Sequence, residues 1–236
     1  MLSYTLKIGR ETADIDFLLY QLKAEISRLS IAVEEILNTN SHDGFIMHLQ
    51  EVQALEHVHM NYPGYRAPIN VQFGKIKDNI QLDIGVGDIV VPEEKILTLY
   101  KYQGKPIFEN AISLQVYSIE MIFSEKLETI ISRGTVNSRM KDFHDILLLS
   151  REETLIDKNK LRGAIEAVFS HRKTQYHCPI SYSPQIYPVF QAYWEAHLRG
   201  LGEMAKELEL PLNFSAMLDE INQCLMTIEA FDTMGG

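Results

Sequence analysis

The chain has 236 residues, 46% of them hydrophobic and 23% charged, with a formal net charge of −10. That length supports one sizeable core with room for a smaller lobe, and the composition is that of an ordinary globular protein. The acidic balance excludes bulk DNA binding, because affinity for phosphate backbones comes mainly from Lys and Arg.

The first element is the run "GRETADIDFLL", residues 9 to 19, which reads as a strand carrying two aspartates. Strand side chains alternate, so Asp14 and Asp16 share one face while Ile15 and Phe17 share the other. Two like charges side by side cost free energy unless a cation sits between them, and a divalent metal meets that need. Apolar residues then recur at helical spacing at Leu19, Leu22, Ile26, Leu29, Val33, Ile36 and Leu37, up to the turn-forming "NTNSHDG". Short alternating runs follow: "FIMHLQEV", "EHVHM", "APINVQFG" and "NIQLDIGVGDIV", with "KIKDN" as a hairpin turn between the last two. In the last run Ile80, Leu82, Ile84 and Val86 take one face and Gln81 and Asp83 the other, so Asp83 leaves the core side. His57 and His59 share a strand face, and with no Cys or carboxylate partner nearby they read as structural.

From "SLQVYSIEMIFSEKLETIISRG" onward the period becomes helical. Ile119, Ile122, Phe123, Leu127, Ile130 and Ile131 form a stripe that Gly134 ends, and "NSRMKDFHDILLLS" begins a second helix with Phe143, Ile146 and Leu147 inward. His144 reads as a helix-surface residue. Further helices are expected at "KNKLRGAIEAVFSHR", "QIYPVFQAYWEAHLRGL" and "FSAMLDEINQCLMTIEAF", with the Pro-bearing "KTQYHCPISYSP" after the first of them. Tyr187, Phe190, Tyr193 and Trp194 have the spacing of a core stripe, while "KNKLR" and "HRK" at 171 to 173 make a local basic stripe whose default is a solvated face. Cys178 and Cys224 have no framework or ligand spacing and read as inert thiols of a reducing compartment. No apolar run reaches the roughly 20 residues of a membrane span, and no signal core is present, so a cytoplasmic protein without membrane association is expected. The fold expected is α/β (α+β): a mixed sheet flanked by helices over residues 1–150, then a helical lobe over 151–236.

Three segments stand out for chemistry. They are Asp14 and Asp16 on one strand, Asp83 on another, and "SEKLETIISRGTVNSRMKDFHDI" with Lys126, Arg133, Arg139, Lys141, Asp142 and Asp145. Strand-borne carboxylates suit Mg²⁺, which takes oxygen ligands and shares them with substrate phosphates. Lys or Arg then stabilises charge at the transferring phosphorus, which points to nucleotidyl transfer. Each helical charge also has a plainer reading: Lys141 and Asp145 as an i, i+4 pair, Lys126 as a snorkelling side chain, Arg133 as a complement to a helix C-terminus.

Taken together, "GRETADIDFLL", "IQLDIGVGD" and "FSEKLETIISRGTVNSRMKDFHDILLL" resemble the AbiEii toxin family, nucleotidyltransferases of type IV toxin–antitoxin and phage-abortive systems. The resemblance covers roughly residues 1 to 150 at motif level. It implies a nucleotidyltransferase-like core, Mg²⁺ (or Mn²⁺) as cofactor, NTP as substrate, an RNA acceptor such as a tRNA end, and a separately encoded antitoxin as partner. By its motifs Asp14 and Asp16 would be the metal-binding pair, Asp83 the accessory carboxylate, Lys126 the phosphate contact, and Asp142, with Asp145 as second choice, the catalytic acidic residue of the last motif. Arg10 and Thr12 of the R-x-T-x-D-I-D element, with Arg133, Arg139 and Lys141, would bind substrate. The family also places a Gly-Gly or Gly-Ser pair a dozen or so residues before the Asp-x-Asp, where Met1 stands here, while Gly9 is too close to Asp14 to serve. The resemblance therefore implies either a start at an internal methionine of a longer reading frame or a lost nucleotide grip. Three readings stay open: an active transferase toxin, a catalytically silent binding or regulatory relative, and a metal nuclease using the same carboxylates.

Overall fold

The computed structural model describes residues 5–6, 8, 14–19, 25–39, 43–55, 64–86, 92–97, 101–103, 105–106, 111–152 and 154–230. The chain divides into two compact units, Glu11–Asp88 and, together, Met1–Arg10 with Ile89–Gly236. The fold class is mixed α/β, as the alternation of patterns predicts.

Among its described residues, the Glu11–Asp88 unit is a sheet with one helix on it. Its strands are β1 (Asp14–Leu19), β2 (Phe45–Leu49), β3 (Gln53–Leu55), β4 (Gly64–Phe73) and β5 (Ile76–Val86), and its helix is α1 (Ile26–Leu37). The order is β1-β5-β4-β2, with β3 also on β4. Strand β1 runs parallel to β5, and the other pairings are antiparallel. Alternation sets the two faces: Tyr65, Ala67, Ile69 and Ile84 are buried, and α1 lays Leu29 and Val33 on them. The opposite face carries Arg66, Asn70, Gln81 and Asp83.

Local readings shift at several points. Leu19 belongs to β1 rather than to the helix, whose stripe starts at Ile26. Ile26 and Ile36, placed on that stripe, are exposed, as is Phe17, because α1 turns only Leu29 and Val33 fully into the core and β1 is an edge strand. The hairpin reverses at Gly74–Lys75, with Gly74 at φ +59°, so most of "KIKDN" is strand. A positive φ is open to Gly at little cost, which fixes the reversal there. "EHVHM", with His57 and His59, lies outside the described residues.

In the other unit two short antiparallel ladders precede the helices: β6 (Glu93–Leu97) with β9 (Ile112–Val116), and β7 (Lys101–Tyr102) with β8 (Lys105–Pro106). The helices are α2 (Ile119–Arg133), α3 (Met140–Arg151), α4 (Lys158–Arg172), α5 (Tyr187–Leu201), α6 (Glu203–Glu207) and α7 (Phe214–Ala230). Ser118 caps α2 by accepting from the Met121 N–H at 3.2 Å, and Gly134 ends it at φ +50°. Asp157 caps α4 through the N–H groups of Asn159 and Lys160. Helix α3 is the hub of the core. Phe143 meets Phe214 edge-on with centroids 5.3 Å apart, Phe190 packs on Phe214 at 5.0 Å, and Trp194 is fully buried, as the aromatic stripe predicts. Tyr193 stays exposed.

His144 is the clearest departure. It is fully buried, and its Nδ1 lies 2.9 Å from Nε2 of His197, whose ring stacks on Trp194. The reason is that α3 is covered on nearly all sides, so its polar residues turn into the protein as well as its apolar ones. Among the described residues, no helix is long and apolar enough to cross a membrane.

Candidate functional site

Within the Glu11–Asp88 unit, the β1/β5 register sets Asp14 opposite Gln81 and Asp16 opposite Asp83. Neighbours in register point the same way and stand about 4.8 Å apart across a sheet. One strand further, β4 places Arg66 opposite Asp83. The three residues Asp16, Asp83 and Arg66 therefore form one row across β1, β5 and β4 on the face that α1 leaves uncovered. Arg66 grips Asp83 with a two-pronged hydrogen bond, Nε to Oδ1 and Nη2 to Oδ2, both 2.8 Å. Gln81 Nε2 adds a longer bond to Oδ2 at 3.3 Å. Asp16 is exposed at the sheet edge, and the Asp14 side chain lies outside what is described.

The donor set suits a hard divalent cation, which takes carboxylate oxygens. Each carboxylate oxygen has two lone pairs, so Asp83 can serve as a ligand even while Arg66 holds it. Among the described residues, no three His, Cys, Asp or Glu side chains converge. Asp16 and Asp83 are the two of the expected three whose side chains are described.

The second cluster lies in the helical unit. Lys126 from α2 is clamped by two aspartates of α3, its Nζ 2.9 Å from Asp142 Oδ1 and 2.8 Å from Asp145 Oδ2. Arg139, just before α3, puts Nε 2.6 Å from Asp142 Oδ2. The spacing explains the geometry: Asp142 and Asp145 are i, i+3 on one helix face, and Arg139 stands three residues before Asp142. Both carboxylates are sealed, with side chains 1% and 0% exposed, whereas Lys126 is 18% and Arg139 41% exposed. Burial alone would raise the Asp142 pKa. The charges of Lys126 and Arg139 and the hydrogen bonds both give it outweigh burial and hold the carboxyl below the ordinary aspartate range.

Of the remaining expected residues, Arg10 and Thr12 lie outside the described ones, Arg133 is exposed in the last turn of α2, and Lys141 is half-buried on α3. Asp145 pairs with Lys126, across helices, where an i, i+4 pair with Lys141 was one expectation. The basic stripe is partly internal, since Arg172 donates from Nη1 to the buried Glu128 at 2.9 Å, and Thr174 Oγ1 donates to the other oxygen of Glu128. Sequence reasoning missed Arg66 and the Glu128–Arg172 pair; for Arg66 the usable signal was its alternation with Tyr65 and Ala67, which sets it on the polar face.

No curated protein matches the chain. It is similar to a solved structure described as "putative nucleotidyltransferase from H. pylori", at 12% identity over 100% of this chain and 86% of that one, with a TM-score of 0.48. The family model described as "Nucleotidyl transferase AbiEii toxin, Type IV TA system" matches residues 1–234, and the chain belongs to that family.

Proposed function

We propose that this chain is a divalent-metal-dependent nucleotidyltransferase that moves an NMP from an NTP onto an acceptor such as a tRNA end, with a separately encoded antitoxin as its partner. The observation that carries the reading is the register that sets Asp16 of the Asp-x-Asp strand beside Asp83 of the neighbouring strand. Asp14, Asp16 and Asp83 would hold the cation. When bound, a divalent cation neutralises phosphate charge and activates the attacking oxygen. In the transfer the acceptor hydroxyl forms a bond to the α-phosphorus, and the bond from that phosphorus to the departing pyrophosphate breaks.

The helical unit carries a candidate cluster of its own. Asp142 and Asp145 are shut away from solvent, so in this reading they are positioning residues. They fix Lys126 and Arg139, whose side chains are partly exposed and which are the groups proposed to contact phosphate. Holding both cations in place beforehand avoids reorganising them as charge develops.

The test is incubation of the protein with each labelled NTP, Mg²⁺ or Mn²⁺ and total tRNA, beside the Asp16→Asn variant. Metal-dependent labelling that Asp16→Asn loses is expected. Equal labelling by the two proteins removes the metal-site claim. A catalytically silent relative is the second reading, favoured by the engagement of Lys126 with two carboxylates. It predicts NTP binding without labelling of any acceptor.

A further inference from the structure

We infer that Arg66 is a latch on the metal site, coupling occupancy by a divalent cation to arrival of the nucleotide triphosphate. The inference rests on the reading of Asp16 and Asp83 as cation ligands and adds a residue and a regulation to it. Arg66 sits between Tyr65 and Ala67, both buried, so the core fixes its backbone position, and its side chain stands on the opposite, polar face. Its guanidinium engages both oxygens of Asp83 at 2.8 Å, with the two side chains 37% and 24% exposed. Forked Arg–carboxylate pairs are among the stronger and more directional polar contacts. Asp16 is the next position along the same row.

A cation settling at Asp83 must therefore share or displace donors already aimed at both of its oxygens, and must do so next to a fixed positive charge. Like charges at close range repel. In the protein without nucleotide, Arg66 thus lowers the affinity for a free divalent ion. A triphosphate changes the balance, because its oxygens offer the same guanidinium a second forked partner. Once Arg66 turns to phosphate, its two donors and its charge leave Asp83, which then holds the ion that the nucleotide brings more tightly. The site then fills as the metal–nucleotide complex, with each ligand raising the affinity for the other by the same factor.

Mn²⁺ retained by the full chain in equilibrium dialysis, in excess of that held by the analogue alone, tests this with and without an α,β-methylene NTP analogue. The proteins are wild type, Arg66→Gln, Arg66→Lys and Asp83→Asn. Without nucleotide, Arg66→Gln is expected to bind Mn²⁺ about ten-fold more tightly than wild type, and to lose most of the enhancement that the analogue gives wild type. Arg66→Lys, which keeps the charge without the fork, is expected to fall between them. It supplies the same comparison should the glutamine variant not fold, as judged by far-UV circular dichroism. Mn²⁺ affinity unchanged or weaker in the Arg66 variants, with binding lost in Asp83→Asn, overturns the latch alone. Binding that Asp83→Asn leaves intact, or no binding by wild type even with the analogue, overturns the metal-site reading and the latch with it.

Discussion

Replacing Lys126 by Met keeps most of the side chain's stem and removes its charge, leaving Asp142 and Asp145 buried at 1% and 0% side-chain exposure without the ammonium between them. Breaking a buried ion pair by deleting one partner costs about 3–5 kcal/mol. Arg139 still holds Asp142 through its 2.6 Å bond, which places the expected loss at the lower end, about 3 kcal/mol. For a chain of this size that corresponds to roughly 10 °C in Tm. The pH dependence is the sharper test. In the wild type the Asp142 carboxyl is held below its ordinary value of 3.8, so its contribution is fully present at neutral pH and is lost only as the pH falls through that lowered value. In Lys126→Met the burial that raises the pKa remains while the largest effect lowering it is gone, so the Asp142 carboxyl is protonated at higher pH than in the wild type. The deficit relative to wild type should therefore be smaller in acid than at neutral pH. Urea unfolding followed by the fluorescence of Trp194, the single tryptophan and fully buried in the same unit, measures both quantities. A variant within 1 kcal/mol of wild type, or a deficit that stays constant with pH, would falsify the account of this cluster.

Asp142→Asn separates positioning from chemistry: if Asp142 only holds Lys126 and Arg139, KM for NTP rises about ten-fold with kcat little changed, whereas a kcat loss of about 10³ makes Asp142 a participant in proton transfer. Arg172→Met leaves Glu128 buried and should cost about 3 kcal/mol in urea unfolding. Adding Glu128→Gln should recover part of that cost, and strict additivity of the two changes would show the pair to be uncoupled. Asn222 accepts from the Ile180 N–H at 2.8 Å and donates to its carbonyl at 2.9 Å, so Asn222→Ala should cost about 2 kcal/mol. Hydrogen exchange at the Ile180 amide reports on the same contact, and unchanged protection there would contradict the assignment.

The parts of the fold that were legible are those set by local periodicity. A run such as "SIEMIFSEKLETIISRG" declares its apolar stripe and its glycine stop within one element, and α2 follows it from Ile119 to Arg133. The alternation in "NIQLDIGV" likewise put Asp83 on the polar face, where β5 carries it. What was not legible depends on pairing. Placing the hairpin reversal across "KIKDN" rather than at Gly74–Lys75 shifts every cross-strand partner, and only the register that starts with Phe73 beside Ile76 counts down to Arg66 beside Asp83. Arg66 belongs to no motif, so its role emerges from that count alone. A similar limit applies to α3. Helical spacing identified Phe143, Ile146 and Leu147 as inward, yet it carries no information on whether the remaining face is also covered. In the fold it is, by α2 on the side of Lys126 and by α5 on the side of His197. The segment "KDFHDI" is therefore internal throughout most of its length, and its two aspartates are paired with Lys126 and Arg139. If Asp142 and Asp145 act only through the cations they hold, mutations at these two positions should change KM and stability together.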